Sequence, residues 1–319
     1  MPIRRGIGNH FEWHRMTGSL DDEKATRARP LAYIERIREY YLTLGYETPY
    51  RWAQFDDVPF SPLAKPLAQA TIGIVTTAAL YQPDKGEQGP GAAYNGAAKF
   101  FSVYAEKTDV EPDLRISHIA YDRAHTSAVD QGTYFPLRAL KKLQAQGDIG
   151  AVAPRFYGLP TNRSQKTTIE VDCADLVALA KEDAIDAAIL VPNCPVCHQS
   201  VSFAARALEE AGIPTVISGC AKDIVEHVGV PRLLFNNFPL GNGCGLPGDT
   251  TSQLEIARLA MGLLATVEGP RTTVRSPFEW NGDPDWQRDY SNAALLSEAE
   301  IARRRAEFDE GKVAAKAAR

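Results

Sequence analysis

No uninterrupted apolar run in this chain of 319 residues comes near the roughly 20 that a helix needs to cross a bilayer, so no membrane span is expected. Basic charge is equally scarce. The 35 Lys and Arg against 40 Asp and Glu leave a net charge of −5, without the basic face that nucleic acid requires. Cysteine is limited to five residues, Cys173, Cys194, Cys197, Cys220 and Cys244. An odd number in so long a chain excludes a secreted disulfide framework and points to a reducing, cytoplasmic compartment. Arg4 and Arg5 have no apolar stretch behind them, so no signal peptide is expected. There is no GxGxxG opening a helix, no Walker loop, no GxSxG elbow and no HExxH. No cofactor is therefore evident.

What is present is an ordinary globular composition, 44% apolar and 24% charged. The first 28 residues, with His10 and His14, are polar and without a period. Residues 29–44 place Leu31, Ile34, Ile37, Tyr40 and Tyr41 at helical spacing, and an aromatic, proline-rich arm follows to residue 66. These 66 residues read as an element packed on the body rather than a domain. The body, residues 67–270, alternates short apolar or β-branched runs (71–77, 114–120, 187–192, 214–218, 232–235) with helical patterns (136–146, 172–180, 200–211, 251–267). That alternation predicts an α/β fold with a mostly parallel sheet and helices on both faces, either one unit or two similar α/β halves. Residues 271–319 read as a tail with a charged helix over 297–308, and the last ten residues of the chain, 310–319, are expected to fray.

In open parallel sheets the carboxyl ends of the strands gather the binding groups. Three predicted strand ends each lead to cysteine: Asn193-Cys194-Pro195-Val196-Cys197-His198, Ser218-Gly219-Cys220, and Asn236-Asn237 running on to Cys244. Cys194 precedes the helix expected at 200–211, where free backbone N–H groups favour a thiolate, and Cys197 stands where it could resolve an adduct. His198 could tune the thiol or act as general acid. His118 and His125 flank Asp122 and Arg123, a set suited to a substrate carboxylate or amine, together with Cys220, Asn236 and Asn237. An ordinary salt-bridged turn is the plainer reading of the Asp122 segment. A metal offers another alternative, with Cys194, Cys197, Cys220 and Cys244 sharing a zinc ion or iron–sulfur cluster, although only one of their spacings is short. Cys173, among Val171, Leu176 and Val177, reads as a buried small hydrophobe.

Leu190-Val-Pro-Asn-Cys-Pro-Val-Cys-His-Gln-Ser200, Glu209-Glu-Ala-Gly-Ile-Pro-Thr-Val216, Val228-Gly-Val-Pro-Arg-Leu233 and Phe238-Pro-Leu-Gly241 resemble the selenoprotein B component of glycine, sarcosine, betaine and D-proline reductases, over roughly residues 70–268. The resemblance implies that Cys194 stands where the family typically carries selenocysteine, which attacks the substrate carbon, and that Cys197 matches a following cysteine. Ser200 replaces a further cysteine of the glycine-reductase members. It also implies a small-molecule substrate, reduction through an external dithiol or thioredoxin-like donor, and a partner within a reductase complex; the family's pyruvoyl-bearing subunit is not part of this chain. The expectation is a thiol-dependent reductase cleaving a C–N or other carbon–heteroatom bond, working as a homo-oligomer. The alternative is a metal-binding or non-catalytic scaffold subunit.

Overall fold

Strands buried on both faces carry continuous apolar runs, and Ala187-Ala-Ile-Leu-Val191 is one of these, with every residue buried. The structure is a computed structural model and describes residues 29–283 and 285–317. The polar N-terminal stretch with His10 and His14, and the final two residues of the tail, lie outside the described residues.

In chain order, helix α1 (Tyr33–Thr43) precedes β1 (Thr71–Thr76), β2 (Ala79–Leu80), β3 (Tyr104–Lys107), β4 (Leu114–Arg115), α2 (Leu137–Gln146), β5 (Ala151–Val152) and β6 (Arg155–Gly158). Then follow α3 (Cys173–Glu182), β7 (Ala187–Val191), α4 (Pro195–Glu210), β8 (Thr215–Gly219), α5 (Lys222–Val228) and β9 (Arg232–Phe235). The chain continues with α6 (Thr250–Thr266), β10 (Thr272–Arg275), α7 (Trp286–Asp289) and α8 (Glu298–Ala317). One sheet of eight strands runs β10-β9-β8-β7-β1-β6-β3, with β5 also on β1. Every pairing in it is parallel except β3 with β6. Side chains alternate between the two faces. Ala187, Ile189 and Val191 join an apolar layer with α2 and α6, while Ala188 and Leu190 join a second layer with α3 and α4. This is the α/β architecture the pattern predicts.

Three local expectations need correction. Residues 114–120 do not form a strand of the main sheet: only Leu114 and Arg115 pair, with β2, in a separate antiparallel ribbon. Both edges of β1 are already taken by β5 and β6 on one side and β7 on the other. The strand at 232–235 is not the last, because the β-branched Thr272-Thr-Val sequence adds β10 at the sheet edge. Helix α4 begins at Pro195 rather than at residue 200, since proline lacks only an N–H that the first turn leaves unpaired anyway.

The extended segment 50–61 lies along the outer face of α4. Gln199 takes the Ala53 N–H at 2.8 Å and donates to Tyr50 Oη at 2.6 Å; Arg206 donates to the Asp57 carbonyl at 2.7 Å and stacks on Phe55. Glu209 accepts from the Ser61 N–H at 2.5 Å and pairs at 2.8 Å with Arg232, a wholly buried ion pair. Arg232 donates in turn to the Ser61 carbonyl at 2.8 Å, so the pair ties sheet, helix and arm together. Farther on, the tail returns to α1: Tyr46 Oη donates to Asp309 at 2.7 Å, and the Phe308 ring lies 5.2 Å from both Tyr41 and Tyr46.

Breaking a buried pair by removing one partner strands the other charge, at about 3–5 kcal/mol. Arg232→Met should lower the unfolding free energy by that amount in urea denaturation, and the Arg232→Met/Glu209→Leu double variant should recover only the part owed to the stranded charge, because the Ser61 and Thr215 N–H groups then lose their acceptor. A single-variant loss below about 1 kcal/mol would contradict the tie described here.

Candidate active site

The turn from β7 into α4 carries both cysteines of the CxxC segment. Cys194 adopts the extended conformation of an N-cap, φ −139° and ψ 171°, and its Sγ accepts the Cys197 N–H at 3.3 Å. The two sulfurs lie 2.8 Å apart. Among the described residues all five cysteines are free thiols.

The helix start alone does not activate Cys194 as expected. Burial pushes its thiol well up, the charge and hydrogen bonding of Cys197 push it further, and the backbone N–H offsets only part. Cys197 goes the other way. Burial alone would raise it too, but the Cys194 S–H, the nearby His118 and the Thr161 hydroxyl together hold it well below an ordinary thiol. Of the five thiols it alone is shifted down; burial raises Cys173 and Cys220 to about 12 and Cys244 well up. The donors around the pair thus favour negative charge on Cys197.

His198 is placed differently from its expected role. Its Nδ1–H donates to the Cys194 carbonyl at 2.8 Å, and its Nε2 accepts the backbone N–H groups of Cys220 and Ala221, each at 3.0 Å. Wholly buried, the ring is lowered to about 4 by desolvation and is neutral near pH 7. Both nitrogens are spent on backbone, so the ring is a clamp between the CxxC turn and the end of β8. Gly219 makes room for it: a Cβ there would stand 3.0 Å from Nε2.

A residue absent from the expected thiol site, His118, stands beside the pair. Thr161 Oγ1 lies 3.1 Å from His118 Nε2 and 3.1 Å from Cys197 Sγ. A ring nitrogen of His118 and the two sulfurs lie within 4.8 Å of one another. Cys220 and Cys244 do not join this group. They sit in the apolar layer beneath α6, and the His198 clamp separates the strand end of Cys220 from the pair. The four-cysteine ligand set is therefore not assembled.

Cys194, Pro195 and Val196 form part of the wall of a cavity of about 1430 Å³. Cys197 is not on that wall and has no exposed surface. Aromatic side chains from α1, the arm and the tail, among them Tyr40, Tyr41, Trp52 and Tyr290, line the same cavity, and Lys99, Arg123 and Arg163 contribute cationic groups. Asp122 also lines the cavity; its Oδ1 accepts from His125 Nδ1 at 2.8 Å, while Oδ2 is buried without a hydrogen bond. Arg123 stacks on Tyr121 at 4.1 Å and donates through Nε to the Ala92 carbonyl at 2.9 Å.

Of the other expected substrate contacts, His125 sits behind Asp122, and Cys220, Asn236 and Asn237 lie off the cavity wall. Asn236 Nδ2 donates to Ser218 Oγ at 3.2 Å and to the Gly243 carbonyl at 2.9 Å, holding the loop after β9. Asn237 Oδ1 accepts from Gln287 at 3.0 Å.

The family profile for glycine/sarcosine/betaine reductase selenoprotein B matches residues 14–193, more than half of the chain, and ends one residue before Cys194. The chain belongs to this family. D-proline reductase subunit gamma of Acetoanaerobium sticklandii is 29% identical over 224 residues, 69% of this chain and 89% of that one. Glycine reductase complex component B subunit gamma of Carboxydothermus hydrogenoformans is 27% identical over 278 residues, 84% of this chain and 59% of the relative. Sarcosine reductase complex component B subunit beta of Peptoclostridium acidaminophilum is 24% identical over 234 residues, 69% and 51%. The chain thus spans nearly all of the first relative but little more than half of the other two. No solved structure gives a significant match. As a member of the selenoprotein B family the protein is an oxidoreductase, with a CxxC pair consistent with redox-active cysteine. Among the described residues no helix is long and apolar enough to cross a membrane.

Removing the His198 ring would leave the buried N–H groups of Cys220 and Ala221 unpaired, at about 1–3 kcal/mol for each that finds no new partner, while the Cys194 carbonyl keeps the backbone N–H of residue 198 at 3.1 Å. His198→Ala should therefore cost several kcal/mol in urea denaturation and speed alkylation of Cys194 by iodoacetamide. His198→Asn, which supplies one donor and one acceptor, should recover part of both. Unchanged stability in the alanine variant would remove the clamp assignment.

Proposed function

We propose that the chain is a thiol-dependent reductase that cleaves a carbon–nitrogen or other carbon–heteroatom bond of a small carboxylate-bearing substrate. The observation that carries this reading is the asymmetry of the pair: Cys194 lines the cavity, and Cys197, its sulfur 2.8 Å away, is wholly buried with Thr161 Oγ1 at 3.1 Å. Cys194 is the sulfur that can reach a substrate, and Cys197 is placed to take its proton. Arg123 and Arg163 supply charge for the substrate carboxylate, and Asp122 faces the same space.

For an ammonium substrate the steps balance as follows. Cys194 sulfur attacks the carbon bearing nitrogen, its proton passes to the Cys197 thiolate, and the C–N bond breaks with its electron pair leaving on ammonia. Cys197 then attacks the Cys194 sulfur; the S–S bond forms, the C–S bond breaks, and the Cys197 proton ends on carbon. The substrate gains two electrons and the thiols become a disulfide. An external dithiol or thioredoxin-like protein returns the electrons. The relatives are named as subunits or complex components, which supports a further protein of a reductase complex as donor or adduct acceptor. His198 acts here only by positioning the turn.

Intact mass of the reduced protein, mixed with carboxylate substrates and no donor, tests this. The expected result is either an adduct on Cys194 or a loss of two hydrogens. Cys194→Ser should abolish both and lower turnover by about 10⁴-fold or more, the scale of losing a nucleophile. Cys197→Ser, which lacks both the base and the resolving thiol, should form the adduct more slowly and then retain it. Undiminished turnover in Cys194→Ser would overturn the assignment.

A further inference from the structure

We propose that His118, Cys194 and Cys197 form a three-ligand site for a single zinc ion, with its fourth position open to the cavity. One ring nitrogen and two thiol sulfurs meet within 4.8 Å, and all three residues are buried. Two sulfurs and an imidazole are a ligand set that selects a thiophilic ion of tetrahedral preference. Three protein ligands beside an accessible cavity are the arrangement of a zinc site that keeps an exchangeable position, rather than of a closed structural one.

The surroundings fit such an ion. Thr161 Oγ1 touches both His118 Nε2 and Cys197 Sγ at 3.1 Å, so one hydroxyl orients two ligands at once. Nδ1 of His118 is buried without a hydrogen bond, and so are both side-chain polar atoms of Asn193, next to Cys194. The Cys197 N–H at 3.3 Å from Cys194 Sγ supports a negative sulfur there. Zinc–sulfur bonds of about 2.3 Å at a tetrahedral angle need sulfurs about 3.8 Å apart. The present 2.8 Å must therefore widen by roughly 1 Å, within reach of side-chain rotation at a helix start.

Zinc and the chemistry proposed above exclude one another at Cys194. Metal holds the reduced pair and leaves no sulfur to attack carbon, and a disulfide cannot bind the metal. Zinc then acts as a reversible cap on the resting thiols. The two proposals fail separately, because one is tested with metal alone and the other with substrate on metal-free protein.

The reduced, metal-stripped full chain is titrated with Co²⁺ and then Zn²⁺. One equivalent of Co²⁺ should give a sulfur-to-cobalt charge-transfer band with visible bands of tetrahedral intensity, displaced by one equivalent of Zn²⁺. Zinc should slow iodoacetamide alkylation of Cys194 at least tenfold. Cys194→Ser and Cys197→Ser should each lose about half of the charge-transfer intensity, and Cys220→Ser and Cys244→Ser should lose none. His118→Asn should weaken binding sharply. Thr161→Val, which spares all three ligands, should weaken it by about 10–100-fold. Absence of a charge-transfer band in the reduced native protein would overturn the proposal. So would binding indifferent to both cysteine substitutions, which would place the ion on the group of His125, Asp283 and Asp289 instead.

Discussion

The imidazole of His198 carries the geometry on which the site rests. One ring donates to the carbonyl of Cys194 and accepts from two successive N–H groups at the end of the neighbouring strand. A CxxC turn attached only to its own helix could swing about Pro195. Attached to β8 as well, it is held against the sheet, and the Cys194 sulfur is held against the cavity. The residue beside the nucleophile candidate thus serves it through backbone, and desolvation keeps the ring in the neutral tautomer that the clamp requires.

Once the turn is held, electrostatics sorts the two thiols. Neither sulfur can be ionised cheaply where it lies, because both are removed from water. A single negative charge shared by two sulfurs in contact is a different matter. It collects on the member with more hydrogen-bond donors, and Thr161, His118 and the Cys194 S–H all converge on Cys197. Cys194, which lines the cavity, keeps the proton under this arrangement. Cys194 and Cys197 are chemically alike in sequence; their difference comes from residues 118 and 161, supplied by segments far from them in the chain.

That dependence explains what could and could not be read beforehand. The parallel sheet was legible because apolar runs such as 187–191 and 71–76 have few other uses, and the helices between them have strong periods. The convergence of the 191, 217 and 235 ends follows from the order β7-β8-β9. Adjacency of strand ends is not adjacency of side chains, however. Cys220 and Cys244 point into an apolar layer, and Asn236 into its own loop. Residues 114–120 carry a strand-like composition, but only Leu114 and Arg115 pair, outside the main sheet, so His118 and Asp122 reach the cavity from a loop. The aromatic wall had no signal of function at all: Tyr40 and Tyr41 read as the apolar side of a helix, and that the tail covers them is visible only in three dimensions.

The presence of sulfur at position 194 gives the arrangement its physical sense. A buried thiol is not anionic near neutral pH without assistance. Under the proposed chemistry, a cysteine member of the family must find its base elsewhere, and the sulfur at position 197 is the nearest group able to supply one. A base that is itself a thiol has a consequence that a histidine or carboxylate would not: after taking the proton it can attack the adduct on Cys194 and finish the reduction within the same chain. The buried position of Cys197 serves this order of events. Shielded from the cavity, it can accept a proton from Cys194 and later bond to its sulfur, but it cannot compete for the substrate carbon. The polarity of the pair and the sequence of bond changes then follow from one fact, that only one of the two sulfurs has a face toward the cavity.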